Sequence, residues 1–136
     1  MGFDGRLSSP SLSKALTRGL LRSGCNVVNL GMVPNPLLYY ATHTSGIESG
    51  VMLTASHNPA NYNGLKVVFK QACLAANQIQ NIRIRVEENQ LSQGDGVYSE
   101  LDITHRYQAD VCSKITLQRK LKLVIDWGLS PIWAIS

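Results

Sequence analysis

The chain has 136 residues, enough for one domain with a real core and too few for several. Hydrophobic residues make up 44% and charged residues 16%, which excludes an intrinsically disordered chain. The net charge of +4 comes from thirteen basic residues that are scattered, apart from Arg119-Lys120 and Lys122, with no aromatic residues alternating among them. A solvated face accounts for that pattern better than a nucleic-acid interface. No apolar run approaches the roughly 18 residues a membrane helix needs, and no secretory signal opens the chain. Neither a nucleic-acid nor a membrane partner is expected, and cytoplasm is the expected compartment. Cys25, Cys73 and Cys112 are odd in number, far apart and form no C-x-x-C pair, so reduced, mostly buried thiols are expected rather than a disulfide framework or a zinc site.

The elements follow in chain order. Met1 to Arg6 opens the chain with no strand ahead of it. Ser9 as N-cap and Pro10 at N1 predict a helix running to Ser23, with Gly24 as its C′ stop. Leu12, Ala15, Leu16, Gly19 and Leu20 give that helix an apolar face. Cys25 to Leu30 reads as a short buried strand closed by Gly31. Asn35-Pro36 opens a second helix whose apolar surface is Leu37, Leu38, Tyr40 and Ala41. Two apolar runs, Gly50 to Leu53 and Leu65 to Phe69, predict strands around a polar loop. Asn77 to Glu88 predicts a third helix with Ile79, Ile82 and Val86 on one side. Ser92 to Glu100 is polar, holds two glycines and reads as loop. Asp102 is placed to cap a fourth helix with the stripe Ile103, Tyr107, Val111 and Ile115, and Leu121 to Ile125 reads as a last strand. The tail from Trp127 to Ser136 shows neither cap nor periodicity. Helices alternating with short β-branched runs predict an α/β fold, a layered mixed or largely parallel sheet flanked by helices.

The polar loop reads Thr54-Ala55-Ser56-His57-Asn58-Pro59-Ala60-Asn61-Tyr62-Asn63-Gly64-Leu65-Lys66. Neighbouring side chains point apart on a strand, so Ser56-His57 is not a ready-made nucleophile–base pair, and no G-x-S-x-G elbow surrounds it. The asparagines, Pro59 and Gly64 supply turn geometry and exposed N–H groups of the kind that cradle a phosphate. Lys66 adds a cation. Serine, histidine and lysine around one loop suit phosphoryl transfer, where positioning and charge neutralisation dominate. Spacing alone leaves two readings open: that chemistry, or a hairpin with a well-built turn.

The loop resembles the phosphoserine loop of the α-D-phosphohexomutases, the phosphomannomutase/phosphoglucomutase family, matching T-(A/G)-S-H-N-P-x-x-Y-N-G-x-K at every fixed position. Asp4 to Pro10 is similar to the family's GRDGR-x-S-x-P stretch, with Phe3 in place of an arginine. Gly31 to Pro36 with Tyr39-Tyr40-Ala41 is similar to its G-x-x-P-T-P segment, with Asn35 in place of a threonine. Leu121 to Asp126 resembles the strand that opens the family's second domain.

The resemblance implies domain I of a phosphohexomutase over residues 1–119 and the start of domain II, with a divergent tail, over 120–136. It implies an enzyme that interconverts hexose 1- and 6-phosphates through a phosphoserine and a bound bisphosphate. On that reading Ser56 is the phosphoserine, His57 and Lys66 contact phosphate or assist proton transfer, and Asn58 and Asn63 shape the loop. A phosphate oxygen on Ser56 would be one ligand of Mg²⁺. Family enzymes are three to four times longer, and the D-G-D-x-D-R metal loop and the later sugar- and phosphate-binding loops have no counterpart in this sequence. A piece truncated at both ends, inactive alone, with a sheet edge and apolar helix faces exposed, is therefore expected. A non-catalytic domain that binds sugar phosphate or a partner subunit is the alternative.

Overall fold

The computed structural model describes residues 1–122 and Val124. Strand β3 (Gly50–Leu53) organises the domain, because its alternating side chains feed two cores. Met52 points to one face, where it packs with Val33, Leu37, Leu38, Ala41 and Ile103. Leu53 points to the other, where it meets Met1 and Val27 with Leu16, Leu20 and Leu21 packed against them. Helix α1 (Ser9–Arg22) supplies the three leucines of that second face; α2 (Asn35–Thr44) and α4 (Thr104–Lys114) cover the first. The layered α/β arrangement with helices on both faces is the one expected.

The sheet is mixed. A four-stranded part runs in the order β1 (Gly2–Phe3), β3, β4 (Leu65–Phe69) and β5 (Ala72–Cys73). β1 is parallel to β3, and the other two pairs are antiparallel. Strand β2 (Val27–Asn29) pairs in parallel with β6 (Tyr98–Glu100). Backbone bonds from Leu30 N to Met1 O (2.8 Å), Phe3 N to Gly31 O (3.1 Å) and Val33 N to Phe3 O (3.0 Å) tie the two parts together.

Several expectations are corrected. The opening segment is itself a strand, since Gly2-Phe3 is zipped between β3 and residues 31–33. Ser8, not Ser9, is the N-cap of α1. Ser9 is instead fully buried, its hydroxyl donating to Asp4 Oδ1 at 2.7 Å. Leu12 of the expected apolar face is exposed, while Leu16 and Leu20 face the core. The segment 92–100 is not all loop, because β6 forms where Val27 N bonds Val97 O and the ladder with β2 begins. Asp102 caps α4 from one residue outside the cap position, accepting from Thr104 N at 2.9 Å, and Ile103 occupies the cap itself. All three cysteines are exposed rather than buried. Helix α3 (Ala76–Glu87) forms as expected but buries none of its residues. Of the expected last strand, Leu121, Lys122 and Val124 are not in a strand; Leu123, Ile125 and the tail 127–136 lie outside the described residues.

Candidate functional site

The loop between β3 and β4 begins where the core ends. Thr54 and Ala55 are still buried, and Ser56, His57 and Asn58 are exposed. Thr54 N bonds Gly64 O at 2.9 Å, which closes the loop's neck. Thr54 Oγ1 then accepts from Ser56 N at 3.1 Å. Ser56 has φ +54, a left-handed conformation that costs a non-glycine residue on the order of 1 kcal/mol. A serine that pays this cost must be held there by its surroundings.

The restraint is Arg6, which is only 6% exposed. Its Nη2 donates to Ser56 O at 2.9 Å and to Asn58 O at 2.8 Å. Its Nη1 donates to Pro59 O at 2.6 Å and to Tyr62 O at 3.2 Å. One guanidinium thus replaces the hydrogen bonds that four carbonyls of an irregular loop lose on leaving water. Arg6 Nε is paired with Asp4 Oδ2 at 3.2 Å. Burial alone would raise the Asp4 carboxyl, but hydrogen bonds from Ser9, Thr54 and the Arg6 amide, with the guanidinium charge, hold it below its ordinary 3.8. Asn63 Nδ2 donates to Ser8 Oγ and Ser9 Oγ, both at 3.0 Å, which pins the far side of the loop to the start of α1.

The residues singled out in the sequence are therefore arranged unequally. Ser56 and His57 share the exposed crest. Asn58 and Asn63 are structural braces, the first through its carbonyl to Arg6 and its amide to Ala55 O (3.1 Å), the second through its side chain. Lys66 is half-buried on β4, opposite Met52 and so on the α2 face of the sheet. No hydrogen bond among the described residues joins the side chains of Ser56, His57 and Lys66. Arg6, Asp4, Ser8 and Ser9 lie outside the expected site residues, although the segment Asp4 to Pro10 carries part of the family resemblance. Their partners lie some fifty residues along the chain, a relation no local spacing reveals.

The magnesium expectation finds no ligand set in these residues. Among the described residues no three His, Cys, Asp or Glu side chains come together. The loop from Thr54 to Lys66 holds no carboxylate, and that of Asp4 is committed to Arg6, Ser9 and Thr54.

Fold and loop together define a class: a layered α/β domain that presents one serine on an exposed, internally braced connection between two strands. Residues 1–93 match the family model for phosphoglucomutase/phosphomannomutase, alpha/beta/alpha domain I. The chain belongs to the phosphoglucomutase/phosphomannomutase family. It is 47% identical over 128 residues to a phosphomannomutase/phosphoglucomutase of Pseudomonas aeruginosa, an alignment that covers 94% of this chain and 28% of that protein. A phosphoglucomutase of Neisseria meningitidis is 41% identical over 130 residues, again with 94% and 28% covered. A crystal structure of a phosphoglucomutase/phosphomannomutase family protein from Burkholderia thailandensis superposes with a TM-score of 0.82 at 37% identity, covering 87% of this chain and 28% of that one. The chain thus spans about 28% of the length of these relatives. Among the described residues no helix is long and apolar enough to cross a membrane.

Proposed function

We propose that this chain carries the phosphoryl-accepting serine of a cytoplasmic phosphohexomutase, that its residues 1–119 correspond to domain I, and that 120–136 begin a second domain. The observation that carries the reading is Ser56, exposed and held at φ +54 by the carbonyl bonds of Arg6. In the proposed step, Ser56 Oγ attacks a phosphorus of a hexose bisphosphate. The P–O bond to the sugar breaks, the sugar oxygen leaves, and the Oγ proton passes to a base. Phosphorylated Ser56 then donates to the free hydroxyl of a hexose 1- or 6-phosphate, whose proton passes to the base as the P–O bond to Oγ breaks; the new bisphosphate reorients and returns its other phosphoryl group to Ser56, which completes the interchange of 1- and 6-phosphates. His57, next to Ser56 on the same crest, is the proposed proton carrier. Lys66 is proposed to neutralise phosphate charge, and Asn58 and Asn63 to keep the loop in shape.

The test is incubation of the chain with glucose 1,6-bisphosphate, followed by intact-mass analysis and peptide mapping. The expected result is the gain of one phosphoryl group on Ser56 and none in Ser56→Ala. Saturable binding of the sugar phosphate with no mass gain would overturn the catalytic reading in favour of a non-catalytic sugar-phosphate domain.

A further inference from the structure

Beside α1 the sheet carries a second group of polar residues, none of them used by the Ser56 loop. Tyr98 and Glu100 of β6 lie opposite Val27 and Asn29 of β2. Val27 packs in the Leu53 core with Leu16 and Leu20 of α1. Side chains alternate along a strand, so Asn29, Tyr98 and Glu100 share α1's face of the sheet with Val27. Phe3 packs against the same core. Between these residues and α1 lies an open cavity of about 660 Å³, whose other wall holds Ser13, Lys14 and Arg18. That volume is within the range of small-molecule sites, roughly 300–1,000 Å³.

The floor of the cavity is held in place by a chain of hydrogen bonds. Gly31 N donates to Asn29 Oδ1 at 3.1 Å, Asn29 Nδ2 donates to the Tyr98 hydroxyl at 3.0 Å, and that hydroxyl donates to Glu100 Oε1 at 2.7 Å. Glu100 Oε2 has no partner among the described residues. The ion pairs among the described residues are Arg6–Asp4, Arg83–Glu87 and Lys114–Asp110. Lys14, Arg18 and Glu100 thus line one cavity without a charged partner, two cations on one wall and a carboxylate on the other. Ser13 is only 6% exposed, and its hydroxyl has no hydrogen-bond partner among the described residues. The one unpartnered side-chain polar atom sealed from solvent among those residues is Asn35 Oδ1, so Ser13 Oγ is open, and Ser13 lines this cavity. A nearly buried hydroxyl without a partner is a group that a ligand can satisfy.

We propose that this cavity is a second binding site, separate from the Ser56 crest, for a sugar phosphate. Lys14, Arg18 and Ser13 take the phosphate, Glu100 accepts from sugar hydroxyls, and the C–H face of the sugar ring lies on Phe3. Phosphate alone leaves the Glu100 carboxylate unpaired, and a neutral sugar leaves the two cations unpaired. A molecule that carries both groups answers both walls. Sugar hydroxyls are donors for the free lone pairs of Glu100, and the negative face of the Phe3 ring favours the C–H groups laid against it. No residue from Thr54 to Lys66 lines the cavity, so the site stands whether or not Ser56 accepts a phosphoryl group.

Titration of the ¹⁵N-labelled chain with glucose 6-phosphate, read by amide chemical shifts, tests it. Saturable shifts are expected at Ser13, Lys14, Tyr98 and Glu100, and they should persist in Ser56→Ala. Shifts confined to residues 54–66, or none around the cavity, overturn the proposal. Lys14→Gln with Arg18→Gln should weaken binding at the cavity about tenfold or more. Glu100→Gln should weaken glucose 6-phosphate about threefold or more and inorganic phosphate not at all. Unchanged affinity in the double variant overturns the phosphate assignment, and equal affinity of the wild type for inorganic phosphate and glucose 6-phosphate overturns the sugar assignment. Lys14, Arg18 and Glu100 are all exposed, and unmoved Met52 and Val68 amides in the variants verify that the core is intact.

Discussion

Asp4 and Arg6 show how two residues at the start of the chain govern a loop fifty positions away. The pair is buried at the arginine end, with side-chain exposures of 3% for Arg6 and 18% for Asp4. An ion pair in that setting holds its partners in place through its further hydrogen bonds rather than through charge attraction alone. Because the Asp4 carboxyl is held below its ordinary 3.8, folding favours its ionised form. Its contribution to stability is complete above that value and is lost as pH falls through the lower value of the folded state. Urea midpoints measured from pH 7 to pH 2.5 should decline more steeply at the acid end in the wild type than in Asp4→Asn. Parallel curves would show that Asp4 is not held in its ionised form. The serine loop was legible in the sequence because its residues are contiguous. Its brace was not, because Asp4-Gly5-Arg6 reads locally as a polar turn before a helix. The clue present was a charged turn, Asp4-Gly5-Arg6, standing between the apolar start Met1 to Phe3 and the serines that open a helix.

The elements fared differently for reasons of length and contact. Helices α1 and α2 were legible from proline, glycine and apolar spacing, and Gly24 does adopt φ +85 just beyond α1. β1 and β6, of two and three residues, are too short to carry a period and exist because the neighbouring backbone supplies partners. Gly96 explains why the approach to β6 resembles a flexible loop. A Cβ there would lie 2.1 Å from Cys25 O and 3.2 Å from Leu21 Cα, both backbone atoms at the end of α1. Gly96 N also donates to Leu21 O at 2.8 Å. The glycine is there for a close approach, not for mobility. Gly96→Ala should therefore push residues 94–98 off α1 and loosen the β2–β6 pair, costing about 1–3 kcal/mol in a denaturant melt. A change under about 0.5 kcal/mol would mean that the segment moves aside freely.

Across the whole molecule, burial is uneven. The core on the Met52 face is the best packed, with Leu38, Met52, Val33 and Val68 among the fully buried side chains. The Leu53 face is covered only in part. Val51 and Val67 are half-buried, Leu65 and Phe69 are exposed, and a cavity of about 310 Å³ opens beside Met1, Leu20 and Val27. α3 lies at the extreme, with Ile79, Ile82, Ile84 and Val86 between 40% and 58% exposed. Its local supports are a bond from Ala75 N to Gln78 Oε1 and an Arg83–Glu87 pair, the latter worth about 0.3 kcal/mol on an exposed surface. Twelve residues with such supports sit near the margin at which an isolated helix forms in water. The paired strands β3 and β4 open only with the domain, whose stability is on the order of 5 kcal/mol or more. Native-state hydrogen exchange should thus show α3 amides opening at least about 3 kcal/mol more readily than those of Met52 and Val68, roughly a hundredfold difference in protection. Equal protection would mean that α3 shares the cooperative unit of the core, with its exposed isoleucines covered by another surface in solution. The apolar spacing of Ile79, Ile82 and Val86 marks one side of helix α3. Periodicity states which side of a helix is apolar, and only the third dimension states whether anything lies against it.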